Sequence, residues 1–197
     1  MNKFLLTSAG FINPTISKFF LKTISKPVKD IAVLFIPTAS RTKEELQYVE
    51  ESKQELLDLE IKTIQVYDLD YELKPEQIKI YDVVYVCGGS TFYLLNKMRE
   101  VNFKKSLQNY QGLYVGVSAG SIVMGPDIEV SAPWDENVVS MQDTTGLEFV
   151  DFVIVPHYQR KDKTIVDKLV QNAKYKIKTI TDNQAIFIEG NKAKLIE

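Results

Sequence analysis

The sequence predicts a single α/β domain of 197 residues with a mainly parallel sheet, helices on both faces and a C-terminal β-hairpin. Three observations carry this. Continuously apolar, β-rich runs at Asp30–Ile36 and Tyr81–Cys87 have the pattern of strands buried on both faces. Helical apolar spacing alternates with such runs along the chain. Glycine- and serine-bearing turns follow the strands, and in such sheets ligands bind beyond the carboxyl ends of strands.

Taken in order, Lys3–Ser8 reads as a first strand closed by Ala9-Gly10. Pro14–Ile24 carries Ile16, Phe19, Phe20 and Ile24 at helical spacing, and Pro27 stops it. The buried strand Asp30–Ile36 leads through Pro37–Ser40 to an amphipathic helix over Thr42–Leu59. Thr42 and Glu45 there have the spacing of a capping box. Ile61–Tyr67 alternates as a third strand. Tyr81–Cys87 is a buried strand ending in Gly88-Gly89-Ser90, followed by helices over Thr91–Glu100 and Asn102–Tyr110. Gly112 breaks the chain into a strand at Leu113–Val117, and a short helix is expected over Ile122–Pro126. Residues 127–146 are polar and irregular, suited to site loops or a hairpin. Phe149–Val155 is a strand, Lys163–Ala173 a helix, and Thr179–Thr181 and Ala185–Glu189 short strands. Gly190-Asn191 turns into a last strand at Ala193–Ile196.

Composition narrows the class of function. Charged residues make up 25% and the net charge is −2, without the basic footprint of a nucleic-acid binder. No stretch approaches the roughly 20 apolar residues of a membrane span. The apolar start at Phe4-Leu5-Leu6 breaks at Thr7, Ser8 and Gly10, which argues against a secretory signal. Cys87 is the single cysteine, so no internal disulfide forms and a cytoplasmic protein is expected. One His and one Cys give no metal-spaced cluster, so neither metal nor organic cofactor is expected.

The chemistry centres on Gly116-Val117-Ser118-Ala119-Gly120, a Gly-x-Ser-x-Gly pattern between a strand and a helix start. A serine on such a turn has strained backbone angles, and side chains two residues to either side would collide with strand or helix. Its hydroxyl needs a base, and His157, the only histidine, follows a strand. The Ala119 N–H would face a forming oxyanion, and Gly88-Gly89 would let a second backbone donor approach. A third group must orient the imidazole. Asp135 and Asp182 both qualify, and both also read as ordinary turn aspartates. Arg160, three residues past His157, is a candidate for a substrate carboxylate.

Val86–Leu95, Gly116–Ser121 and Pro156-His157-Tyr158 resemble the three blocks of the aspartyl dipeptidase (dipeptidase E) and cyanophycinase family of serine peptidases, in the same order. The resemblance spans essentially the whole chain. It implies a flavodoxin-like fold related to class I glutamine amidotransferases, with serine at the elbow where those enzymes carry cysteine. It further implies Ser118 as nucleophile, His157 as base and Gly89 in the oxyanion hole. For the acid, the family offers a position between the serine and histidine blocks, matching Asp135, or one after the histidine block, nearest Asp182; order and spacing favour Asp135. The stretch Pro133-Trp134-Asp135-Glu136-Asn137 departs from the family pattern, which bears on aspartyl specificity more than on hydrolysis.

The expected function is therefore serine-dependent hydrolysis of short peptides by a monomer or homodimer, with no nucleic-acid or membrane partner. An esterase or amidase would use the same Ser-His pair. A non-catalytic amidotransferase-like binding domain would leave Ser118 inert to serine-directed phosphonates.

Overall fold

The architecture follows from which strand residues are apolar on both faces. The computed structural model describes residues 3–197. Its strands are β1 (Lys3–Thr7), β2 (Ala32–Ile36), β3 (Thr63–Val66), β4 (Val83–Val86), β5 (Leu113–Val117), β6 (Phe152–Val155), β7 (Lys176–Thr179), β8 (Ala185–Glu189) and β9 (Lys192–Ile196). Its helices are α1 (Pro14–Thr23), α2 (Lys43–Asp58), α3 (Pro75–Ile78), α4 (Thr91–Glu100), α5 (Phe103–Leu107), α6 (Ala119–Ile122) and α7 (Lys163–Asn172).

Seven strands form one sheet in the order β3-β2-β4-β5-β1-β8-β9. From β3 to β1 all neighbours are parallel; β8 joins β1 antiparallel, and β9 pairs back on β8 through a turn at Gly190 (φ 57°). β6 and β7 form a separate parallel pair. Strand side chains alternate between two cores. Leu5, Val33, Phe35, Val83, Tyr85 and Val115 pack with Ile16 and Phe20 of α1 and Val49 and Leu56 of α2. Phe4, Leu6, Leu34, Val84, Val86 and Tyr114 pack with α4, α5 and β6 on the other face. Burial on both faces is why these strands read as unbroken apolar runs.

The capping box at α2 is present: Thr42 Oγ1 accepts the Glu45 N–H, and Glu45 Oε2 accepts the Thr42 N–H at 2.8 Å. Elsewhere the boundaries move. The helix after Ser118 starts at once, over Ala119–Ile122, because Ser118 O already accepts from Ser121 and Ile122 N–H; residues 123–126 are turn and bend. The strand expected from Phe149 starts at Phe152, since the Phe149 and Val150 N–H groups bond back to Met124 O. The strand expected at Thr179–Thr181 is displaced to Lys176–Thr179, where Ile177 alternates with lysines; the last trace of pairing is the Ile180 N–H on Val155 O. The second helix after β4 shrinks to Phe103–Leu107, with Asn102 at φ 56° before it. The α3 turn was not expected; Pro75 at its first position starts it and Ile78 anchors it in the core.

The topology gathers the carboxyl ends of β1, β4 and β5, three adjacent parallel strands, on one rim of the sheet. That rim holds Ser8, Gly88, Gly89 and Ser118, and the turn after β6 brings His157 to it.

Candidate active site

Sterics build the serine half. Ser118 adopts φ 48° and ψ −108°, a conformation a non-glycine residue holds only when its surroundings force it. A Cβ on Gly116 would strike the Gly120 carbonyl, and one on Gly120 would strike the Val86 carbonyl. A Cβ on Gly88 would stand 3.1 Å from the Ser118 Cβ. Glycine is thus required at the tight contacts on the elbow. Hydroxyls support it from beneath: Thr7 Oγ1 and Ser121 Oγ both donate to Gly116 O, and the Ser118 N–H extends the β1–β5 ladder to Thr7 O.

Hydrogen bonds build the histidine half. His157 follows Val155 and Pro156 at φ 55°, a left-handed conformation, and its N–H donates to Ser8 Oγ at 2.7 Å. Tyr158 N–H donates to Ile180 O, tying the turn to the segment that carries Asp182. The imidazole Nε2 lies 3.0 Å from Ser118 Oγ, and Nδ1 lies 2.6 Å from Asp182 Oδ1. A carboxylate only accepts, so the neutral ring carries its proton on Nδ1 and offers the Nε2 lone pair to the serine.

The acid beside the ring is Asp182, where order and spacing had favoured Asp135. Asp135 Oδ2 instead accepts the Thr91 N–H at 2.5 Å, at the amino end of α4. Burial raises its pKa, and the Thr91 N–H pulls the other way. It serves as a capping carboxylate there, next to the Ser90 N-cap. The turn expected at Asp182-Asn183 is also present, closed by Gln184 N–H on Thr181 O. A residue can be turn-former and ring partner at once, which is why composition could not separate the two acids.

Gly89 adopts φ 131°, and a Cβ there would strike the Ala39 carbonyl. Its N–H and that of Ala119, the first residue of α6, have no hydrogen-bond acceptor among the described residues. Gly89 lines both clefts with Ser118 and Ala119 follows Ser118 in the chain, and free backbone amides in such positions suit an oxyanion. Among the described residues, no group of three or more His, Cys, Asp or Glu side chains is placed to hold a metal ion.

The model of peptidase family S51 matches residues 4–196. The chain belongs to family S51. An uncharacterized peptidase of Listeria monocytogenes serovar 1/2a is 32% identical over 200 residues, covering 96% of this chain and 95% of that protein. Peptidase E of Nostoc sp. is 29% identical over 188 residues, covering 88% of this chain and 74% of that protein. A crystal structure from Listeria monocytogenes EGD-e, provisionally named as a peptidase E, superposes with a TM-score of 0.81 at 29% identity, over 99% of this chain and 98% of that one. The α/β fold with its mainly parallel sheet is shared with it. S51 is a serine peptidase family, and this chain is a peptidase.

Two clefts meet at the serine of this S51 peptidase. One, of about 490 Å³, runs from Ser118 and His157 past Ser8, Gly88 and Cys87 to α2. The other, of about 410 Å³, runs past Ile122, Trp134, Asp135 and Gln159. Ser118, His157, Gly89 and Glu45 line both. Arg160 is exposed in a 3₁₀ turn and lines neither. The first cleft is instead acidic: Glu45, Glu51 and Glu55 face it, and no Lys or Arg lines it. Burial raises the Glu55 pKa, with Glu51 and Asp58 adding to the rise and the Phe11 N–H opposing it. Sequence reading passed over this wall. Its signal was the helical spacing of Glu45, Tyr48, Glu51, Ser52 and Glu55, a polar stripe running beside the apolar Val49 and Leu56. Ser8 was read only as part of a polar strand end. A larger cavity of about 580 Å³, lined by Val130, Val153, Ile165, Leu169 and Ile177, does not include Ser118 or His157. Among the described residues, no helix is long and apolar enough to cross a membrane.

Proposed function

We propose that this S51 peptidase cleaves short peptides, dipeptides foremost, through an acyl-enzyme on Ser118. The observation that carries the reading is the continuous contact from Ser118 Oγ to His157 Nε2 and from His157 Nδ1 to Asp182. As Ser118 Oγ bonds to the scissile carbonyl carbon, its proton passes to Nε2. Asp182 keeps the ring in the Nδ1–H tautomer and stabilises the cation that forms. The oxyanion faces the N–H groups of Gly89 and Ala119. Collapse breaks the C–N bond, and the leaving amine takes the proton from Nε2. Water then gives a proton to Nε2 as it attacks the ester, and Ser118 Oγ recovers that proton as it leaves. The Ser-for-Cys elbow and the sheet order fit the kinship to class I glutamine amidotransferases that the sequence implies.

Two small clefts on either side of one serine favour a short substrate spanning both. Glu45, Glu51 and Glu55 favour a cation in the larger one, and the free α-ammonium of a short peptide supplies it. An acidic N-terminal side chain finds no cationic partner on that wall, since Arg160 lies outside it. The test is titration with a serine-directed fluorophosphonate, followed by turnover of dipeptides with free and acetylated amino groups. We expect one equivalent of label on Ser118 and selective cleavage of the free amines. Unlabelled protein overturns the mechanism; equal turnover of acetylated substrates overturns the ammonium site.

A further inference from the structure

We propose that Ser8 is a positioning residue: its one hydroxyl, at the carboxyl end of β1, locks the His157 turn to Asp182. The proposal rests on the reading of Ser118 and His157 as nucleophile and base. Ser8 is fully buried. Its Oγ accepts the His157 N–H at 2.7 Å and donates to Asp182 Oδ1 at 2.8 Å. Ser8 Oγ is also 3.4 Å from His157 Nδ1. A hydroxyl has one proton, and with that proton on Asp182 it has none for the ring. The ring nitrogen must then donate to the same Oδ1, which fixes the tautomer that leaves Nε2 free to accept from Ser118.

A bland role is available, in which Ser8 only satisfies the N–H of a residue at positive φ. The two roles differ in what they move. The Ser8 proton withdraws charge from the Oδ1 that faces the imidazole. Without it that oxygen is more negative and holds the protonated ring more strongly, so the acid limb of the rate profile moves to higher pH. The other charged groups on the two cleft walls that meet at His157 are Glu45, Glu51, Glu55, Asp135, Lys161 and Asp162, and none is altered by a change at Ser8. A loosened ring costs kcat rather than KM, because the ring's placement matters at proton transfer.

Ser8→Ala and Ser8→Cys in the full chain test this. Cysteine fills the space and is a poor donor, so it reads the hydrogen bond even where the alanine variant does not fold. We expect kcat to fall on the order of 10²-fold in both, with KM little changed and the acid limb displaced upward. His157 is the only histidine, so its ring signals in NMR are unambiguous and should show the same upward displacement of titration, independently of turnover. A folded variant with wild-type kcat and ring titration overturns the proposal, even where its Tm has dropped. If wild-type protein takes no fluorophosphonate label, the catalytic reading fails, while the ring titration still decides whether Ser8 holds the pair.

Discussion

Ser118 and His157 both stand at positive φ, 48° and 55°, at the ends of strands, yet different forces hold them. The serine is wedged. Its neighbours Gly116, Gly120 and Gly88 are packed so closely on the elbow and the adjoining strand that added Cβ atoms would press on backbone or on Ser118 itself. The histidine is tethered. Its placement depends on hydrogen bonds to Ser8 and Asp182, 149 and 25 residues away, and half of its side-chain surface remains exposed. A wedge is set by local composition and packing; a tether is set by the topology that brings distant turns together.

The sharpest break of the comparison is Ser118→Ala. Removing the nucleophile should cut peptide turnover by about 10⁶-fold with the Tm unchanged, since only a hydroxyl at a half-exposed turn is lost. Turnover within tenfold of wild type would leave the elbow without a role in the chemistry.

On the tethered side, Asp182→Asn should lower kcat on the order of 10⁴-fold by presenting the wrong partner to Nδ1. Asp135→Asn keeps an acceptor for the Thr91 N–H and should keep kcat, with no loss of stability at pH 7, because burial already disfavours the charged carboxylate there. If kcat collapses in the Asp135 variant and survives in the Asp182 variant, the ring is oriented from the other side.

The wedge itself is probed by Gly120→Ala. The added Cβ meets the Val86 carbonyl, backbone that cannot swing aside, so a loss of about 1–3 kcal/mol is expected in urea denaturation. An unchanged midpoint would mean that the elbow tolerates bulk, and that its strain has another origin.

The smallest effect expected is at Glu55. Its pKa is raised by burial above the ordinary 4.5, so the folded state holds a proton that the unfolded state has lost. That contribution is present below about pH 4.5 and is lost as pH rises through the raised folded value, leaving the charged form a liability at neutral pH. Glu55→Gln keeps an acceptor for the Phe11 N–H and should stabilise the protein at pH 7 but not at pH 4. Equal gains at both values would show that charge is not the cause.

The same contrast explains what the sequence disclosed. The buried strands were legible because Asp30–Ile36 and Tyr81–Cys87 are apolar on both faces, although the first starts at Ala32 after a 3₁₀ turn. The elbow was legible because its glycines act within four residues of one another. The partner of His157 was not, because Asp135 and Asp182 have the same turn chemistry and only the pairing of β6 with β7, and of β8 with β1, decides which reaches the ring. Lys176–Thr179 was misplaced because its one inward residue, Ile177, is too weak a signal against flanking lysines. Ser8 was hidden for another reason: a serine at a strand end looks the same whether it faces solvent or a carboxylate.

The position of β1, between β5 on one side and β8 on the other, has a consequence for how the protein is made. Thr7 bonds to a residue 109 positions later and Ser8 to one 174 positions later. Contacts of such separation close late, because the loops they close carry a large entropic cost before any contact rewards it. A chain emerging from the ribosome can wedge its serine once β4 and β5 have formed. It cannot bring Asp182 to the histidine until β8 has docked against β1. A chain halted before Asp182 therefore lacks the carboxylate that meets the His157 ring.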